Sequence, residues 1–398
     1  MTVQRLTAAL GVGYERLAAW SDLLDAINVF PVADADTGRN LVVSLAPLHR
    51  ADAHPGAVAR RLLLSATGNS GNIACGFFSG FMGARPEVDL RAAVRAGRSR
   101  ALESIADPLP GTMLTVLDEL ARYFEQLPDA AADGFPGLVD ALARSVHATA
   151  ETLPTLQAAG VVDSGALGLF LFLEGFFCAW GNRAHEFRPV TEIFGRRVRL
   201  PAGYVGERRE GCCVDTVLRL GPEGDAPAAA LTALGTSVVV QQDRDRVKIH
   251  LHTRRPDAVR RALEQAGRVE RWSEGDLAPK RGSIDRRRSV VHIVTDAAGS
   301  ITREEADELG LTLLSSYILV GDRSLPETLV PPDELYRAMR AGVKVSTAQA
   351  SVFERHQNCQ SLLDRHERVV QRLAGVGCFL ATLLTLLHVG LDYFRMKR

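Results

Sequence analysis

Hydrophobic spacing changes period along this chain, and that change limits the folds open to it. Through residues 1–190, apolar residues recur at helical intervals in "RNLVVSLAPL", "AVARRLLLSA", "TMLTVLDELARYF" and "ALGLFLFLEGF", with Gly, Pro and Asp between the runs. From about residue 200 the pattern turns to short alternating runs, "CCVDTVLRL", "SVVVQQD" and "VKIHLHT", followed by the helical "PDAVRRALEQAG". Near 290 a strand-like "VVHIVTDAAGS", a helical "TREEADELGL" and a strand-like "LTLLSSYILVG" follow one another, the order of an α/β unit. One layer cannot satisfy these patterns together. The chain therefore reads as multi-domain: an all-α unit at 1–190, a small α/β unit at 200–278 and a partial α/β unit at 290–398. Its 398 residues agree, since a single hydrophobic core stops growing near ~250–300 residues.

Charge excludes one class of partner. With 47 basic and 47 acidic residues the chain has no net charge, so nothing in its composition calls for a polyanion. The basic "KRGSIDRRRS" (280–289) has no aromatic residues among its charges and reads as a solvated linker, not a nucleic-acid contact. Six cysteines without a secreted-framework spacing, and an amino terminus lacking the unbroken apolar core of a signal peptide, fit a cytoplasmic protein. "LAGVGCFLATLLTLLHVGL" (373–391) approaches the roughly 20 apolar residues needed to span a bilayer. Thr382, Thr385 and His388 interrupt it, and a buried helix or an abnormal chain end is expected there in preference to a membrane span.

Two carboxylates one residue apart mark the first candidate site, in "NVFPVADADTG" (28–38). Asp34 and Asp36 in a short loop can converge on a hard cation, and Mg²⁺ is commonly held by one or two carboxylates together with nucleotide phosphates. The loop also allows a structural reading, in which Asp36 or Thr37 caps the helix starting at "GRNLVVSL". Local pattern does not separate the two. "ATGNSGN" (66–72) puts two glycines and small polar residues at a helix start, where free backbone N–H groups and the helix dipole favour a phosphate. It would serve equally as a tight helix–helix turn. "LPGTML" (109–114) and "AGVVDSGALGL" (159–169) are further Gly-centred breaks before apolar helices, each readable alone as a cap.

Taken in order, "INVFPVADADTGRNL", "GNSGNIACGFFSGF", "PGTMLTV" and "AGVVDSGALGLFLFLEGF" resemble the ATP-binding domain of dihydroxyacetone kinases, and most closely that domain in the ATP-binding subunit of bacterial fatty acid kinase. The resemblance covers nearly all of the first 180 residues. It implies an antiparallel helical barrel whose acidic loop holds two Mg²⁺ ions bridging the phosphates of ATP. Asp34 and Asp36 would then be the catalytic metal ligands, with Asn28 near a third ligand position. Asn69, Ser70 and Gly71 would hold phosphate oxygens, and Thr37, Asn40, Thr112, Met113 and Asp163 would lie beside the nucleotide. Such a site suits phosphoryl transfer, in which the protein supplies position and charge neutralisation and needs no side-chain nucleophile. The chain departs from the family where Ala33, Ala35 and Arg39 stand for Pro, Gly and Thr. Ala35 matters most, because a Gly supports a positive φ that Ala resists. Arg39 adds a charge that would either clasp a phosphate or crowd the metal.

In the middle unit, "VKIHLHT" places His250 and His252 on one face of a strand, and "GCC" (211–213) opens another. Two His and one Cys from neighbouring strands make a tetrahedral zinc site with a fourth position open. A solvent-facing His pair beside a buried Cys is the plainer alternative. The middle domain of the fatty acid kinase protein carries a similar Cys and His-x-His strand associated with zinc, and the resemblance assigns Cys213, His250 and His252 as ligands. Cys212 stands where that family has an aromatic. From 290 on, the chain through "VSTAQAS" resembles the start of the DegV family of lipid carriers, in which Thr347 matches a Thr that contacts a fatty acid carboxylate. Nothing after "VFERHQNCQ" matches that family, so the expectation is a kinase subunit fused to a truncated carrier.

The function implied is an ATP- and Mg²⁺-dependent kinase that forms an acyl phosphate from a fatty acid presented by a lipid-carrier domain. A dihydroxyacetone kinase-type phosphotransferase would use the same ATP site with another acceptor. A non-catalytic nucleotide- or lipid-binding regulator is the alternative outside enzymes. The partners expected are a nucleotide and a fatty acid or its carrier, with no nucleic acid and no membrane, while a homodimer stays open.

Overall fold

The structure, a computed structural model, describes residues 2–49, 55–127, 135, 137–182, 187–207, 210–221, 227–277, 291–296, 301–321, 323–330, 332–366 and 368–372. Its N-terminal part is helical: α1 (Val3–Ala18), α2 (Ser21–Ala26), α3 (Thr37–His49), α4 (Pro55–Ser65), α5 (Gly68–Gly83), α6 (Leu90–Glu103), α7 (Met113–Gln126), α8 (Leu138–Thr149), α9 (Pro154–Ala159), α10 (Ser164–Trp180) and α11 (Val190–Phe194). The amphipathic spacing of α7 turns Leu117, Leu120 and Phe124 inward. By contrast, α10 is apolar on every side and buried along almost its whole length, which makes it the central helix. Helix α1 lies directly on it. A Cβ on Gly175 would stand 2.9 Å from the Cα of Gly13, so the two backbones meet with no side chain between them. The single acid of α10, Glu174, is paired with Arg16 of α1 at 2.8 Å.

A four-stranded antiparallel sheet follows: β1 (Cys212–Leu220), β2 (Thr236–Asp243), β3 (Arg246–Thr253) and β4 (Gly267–Asp276), in the order β2-β3-β1-β4. Two helices, α12 (Ala228–Thr232) and α13 (Pro256–Ala266), accompany it. Alternation sorts the side chains. Val214, Ile249 and Leu251 form a core with Val259 and Leu263 of α13, and the alternate residues Cys213, Asp215, His250 and His252 fall on the opposite face. That face is turned to the helices. Residues 104–106, just after α6, extend the sheet beyond β2: Val240 N–H donates to Ser104 O at 2.7 Å and Ala106 N–H to Val238 O at 3.0 Å.

The third part holds β5 (His292–Asp296), α14 (Arg303–Leu309), β6 (Thr312–Leu314), β7 (Tyr317–Val320), β8 (Arg323–Pro326), α15 (Pro332–Arg340), β9 (Val345–Ala348), α16 (Val352–Arg365) and β10 (Val369–Arg372). They form a parallel sheet, β10-β5-β6, and an antiparallel one, β8-β7-β9. The run read as one strand, "LTLLSSYILVG", is thus two strands in two sheets. Its Ser315 and Ser316 make the corner, bonding to Thr328 and Glu327. This part docks on the helices, with Ser351 donating to Glu15 at 2.8 Å and Arg303 pairing with Asp22 at 2.9 Å. Among the described residues no helix is long and apolar enough to cross a membrane. The basic segment 280–289 and the apolar run 373–391 lie outside the described residues.

Candidate functional site

A cavity of about 330 Å³ lies between the helices and the sheet. Four helices present their first residues to it: Asp36 and Thr37 at α3, Gly68, Asn69 and Ser70 at α5, Thr112 and Met113 at α7, and Asp163 and Gly165 at α10. The Gly-centred breaks in the sequence are the points at which these helices start. Converging N-termini bring the positive ends of four dipoles to one space, a setting for a polyanion. Two of the residues are also caps, since Thr112 accepts from Leu114 N–H and Asp163 accepts from Ala166 N–H at 2.7 Å. Cap and cavity wall are therefore roles of the same side chains. Burial pushes the Asp163 carboxyl up to about 7, against the pull of the Ala166 N–H.

The acidic loop separates the metal and capping readings of its two aspartates. The N–H groups of Gly38 and Arg39, which open α3, donate to Asp25 of α2 at 2.7 and 3.2 Å. Asp25 is therefore the cap, and the Asp36 carboxylate is left on the cavity wall. Asn28 Nδ2 donates to Asp34 Oδ1 at 2.7 Å and holds that carboxylate in place. Burial, then the charge of Asp36, raises the Asp34 carboxyl well above the usual range, so two carboxylates crowd a poorly solvated spot that a cation would relieve. Ala35 between them has φ 54°, the left-handed conformation that Ala resists. Arg39 turns away from the cavity, pairing with Asp25 at 3.0 Å and donating to the Ala35 carbonyl at 2.5 Å.

The sheet supplies the opposite wall. Cys213, His250 and His252 line the same cavity as Asp34 and Asp36. The three offer ligand atoms within 4.8 Å of one another. Both histidines are buried, at 1% and 7% exposure, so they are not a solvent-facing pair. Asp215 faces His250 Nδ1 at 3.2 Å. Burial works against the charge of Asp215, but His250 and Lys248 outweigh it and hold the carboxyl far below the usual range. An ionised carboxylate only accepts, so Nδ1 carries the hydrogen and Nε2 is the atom left to bind. That Nε2 is buried and has no hydrogen-bond partner among the described residues. A half-buried thiol, an orphaned imidazole nitrogen and a second imidazole fit zinc. Burial, then Asp215, Asp36 and Asp34, push the Cys213 thiol up, and a cation at this spot would reverse that push.

Two expected site residues lie elsewhere. Gly71 does not line the cavity; a Cβ there would stand 2.0 Å from Ser44 Oγ, so this glycine lets α5 pack closely on α3. Thr347 is exposed on β9, opposite Ile318 of β7, away from the cavity. Asp25 and Asp215 are the residues that sequence reasoning missed. Asp25 looks like any acid of an amphipathic helix. Asp215 carried one signal, its alternation with Cys213 on the strand that opens at "GCC".

Residues 31–178 match the DAK2 domain, and residues 211–277 match the middle domain of FakA-like fatty acid kinase proteins. The chain is 29% identical over 288 residues to an uncharacterized protein of Mycoplasma pneumoniae, covering 62% of this chain and 52% of that one. It is 28% identical over 288 residues to protein YloV of Bacillus subtilis, covering 65% and 52%. It thus spans about half the length of these curated relatives. An uncharacterized protein of Staphylococcus haemolyticus is 26% identical over 389 residues, 86% of this chain and 70% of its own. That share is too large to stop at the sheet, so the similarity runs into the third part. The two domain matches, in this order along one chain, support a FakA-like protein of the fatty acid kinase type.

Proposed function

We propose that the chain binds ATP with Mg²⁺ in this cavity and transfers the γ-phosphoryl group to a fatty acid carboxylate held by a lipid carrier. The observation that carries this reading is the convergence of four helix N-termini with the carboxylates of Asp34, Asp36 and Asp163 on one space. Dipoles alone would suit any anion, and carboxylates alone any cation; a triphosphate with its metal ions needs both. Asn28, Asp34 and Asp36 would hold the magnesium, which when bound neutralises phosphate charge. The N–H groups opening α5 would hold phosphate oxygens. A carboxylate acceptor brings no proton to remove: its oxygen bonds to the γ-phosphorus as the bond to the β-phosphate oxygen breaks, and ADP leaves.

In this reading the helical part is the antiparallel barrel of the dihydroxyacetone kinases, and Cys213, His250 and His252 hold zinc as a fixed charge on the sheet side. Similarity of residues 211–277 to the FakA-like middle domain favours a fatty acid over dihydroxyacetone as acceptor. The third part is DegV-like, with Thr347 as the hydroxyl for a carboxylate head group. Purified chain with Mg²⁺, ATP and a fatty acid-loaded carrier should form acyl phosphate, and Asp34→Ala with Asp36→Ala should abolish it. Turnover of dihydroxyacetone instead would replace the acceptor, and ATP uptake without transfer to either would make the chain a regulator. Absence of ATP uptake would overturn the reading.

A further inference from the structure

Behind the phosphate turn stands a carboxylate to which the proposed chemistry gives no task. Asp215 is 9% exposed and gathers donors from two parts of the chain. From the sheet, Lys248 Nζ reaches Oδ1 at 2.9 Å and His250 Nδ1 reaches Oδ2 at 3.2 Å. From the helices, Gly68 N–H donates to Oδ2 at 3.1 Å, Thr67 Oγ1 to Oδ2 at 3.4 Å and Asn72 Nδ2 to Oδ1 at 3.4 Å. These three donors come from the two ends of one turn, the turn that opens α5 onto the cavity. Gly68 within it has φ 62°, a conformation that glycine adopts without a Cβ penalty. Asp215 accepts the first N–H group of α5, and the next residues, Asn69 and Ser70, line the cavity. Lys248 pairs with the same carboxylate at 2.9 Å, so the turn's donors share their acceptor with an ammonium group of the sheet.

We propose that Asp215 is a positioning residue: it fixes the phosphate turn of the helical part against the sheet and orients His250, so nucleotide affinity depends on a side chain outside the cavity. This rests on the nucleotide reading above. An alternative role is a plain ion pair with Lys248 joining two parts, and the two roles differ in what they predict. Lys248 lies on the far side of Asp215, in the wall of a second cavity of about 530 Å³. Removing its charge leaves the turn's three donors on the carboxylate. Removing the carboxylate's charge does not.

The test is calorimetric titration of the whole chain with Mg²⁺–ATP, with melting temperature measured alongside. Asp215→Asn should weaken nucleotide binding about ten-fold or more, the scale of a lost charge-assisted bond. Lys248→Met should leave affinity within about three-fold, although both variants melt earlier. Wild-type affinity in Asp215→Asn, or an equal loss in Lys248→Met, would overturn the positioning role and leave the nucleotide reading standing. No uptake by the unchanged chain would remove both. Should Asp215→Asn fail to fold, Thr67→Val removes one donor to the same carboxylate and should weaken binding about three-fold; wild-type affinity there would reject the proposal.

Discussion

Replacing Ala35 with Gly should make the helical part more stable, against the usual cost of adding a glycine. Ala35 has φ 54° in the loop between Asp34 and Asp36, and the left-handed region costs a residue with a Cβ roughly 1–2 kcal/mol. Glycine escapes that cost but gives the unfolded chain more freedom, which removes about 0.4–1 kcal/mol. The difference is a net gain of about 0.5–1 kcal/mol. At roughly 2–4 °C per kcal/mol for a unit of this size, melting should rise by about 1–4 °C. Urea denaturation followed by tryptophan fluorescence is the assay, because Trp20 and Trp180 are both buried in the helical part. The Arg39 bond to the Ala35 carbonyl holds the loop in either variant, so the change isolates the conformational cost. A loss of about 0.5–1 kcal/mol, as for glycine at an ordinary position, would refute the claim that this bend is strained.

Three further outcomes can be measured. Asp163 is raised by burial from 3.8 to about 7, and Glu354 from 4.5 to about 8. Each keeps its proton when folded after the unfolded chain has lost it, so the stability these groups contribute is full below about pH 4 and falls as pH climbs towards 8; a melting temperature that rises between pH 5 and pH 8 would contradict this. Gly38→Ala would put a Cβ 2.1 Å from the Ser21 carbonyl oxygen, backbone that cannot step aside, and should cost at least about 3 kcal/mol or prevent folding; a folded variant with wild-type stability would show that α2 and α3 are not so close. Metal analysis of the whole chain should find about one zinc, lost in Cys213→Ser with His250→Ala; unchanged content would reject the site.

Helices and strands with a strong apolar rhythm were open to reading from sequence. Helices α3, α7 and α10, and strands β1, β2 and β3, fall on the runs that suggested them. Strand β4 was not open to it, because "GRVERWSEGD" is a largely exposed edge strand whose charged residues mask any alternation. The aspartate pair and the Cys–His–His set were each visible, but their meeting across one cavity was not. Some 180 residues separate Asp34 from Cys213, and no local spacing reports how one unit seats on another. That the N–H groups opening α3 go to Asp25 and not to Asp36 could not be read, because Asp25 lies in a preceding helix and carries no mark of its task. Ala35 is the opposite case: the resemblance put an alanine at a glycine position, and its φ of 54° is one that Ala resists.

Because Ser104 and Ala106 complete the hydrogen-bonding ladder of β2, the sheet has lent one of its rims to a segment more than a hundred residues upstream. Excised as residues 210–277, it would bare a row of amides and carbonyls and seek a strand from a neighbouring molecule. The border between the two matched segments is not a border of cohesion, and the pieces should melt together and behave badly apart.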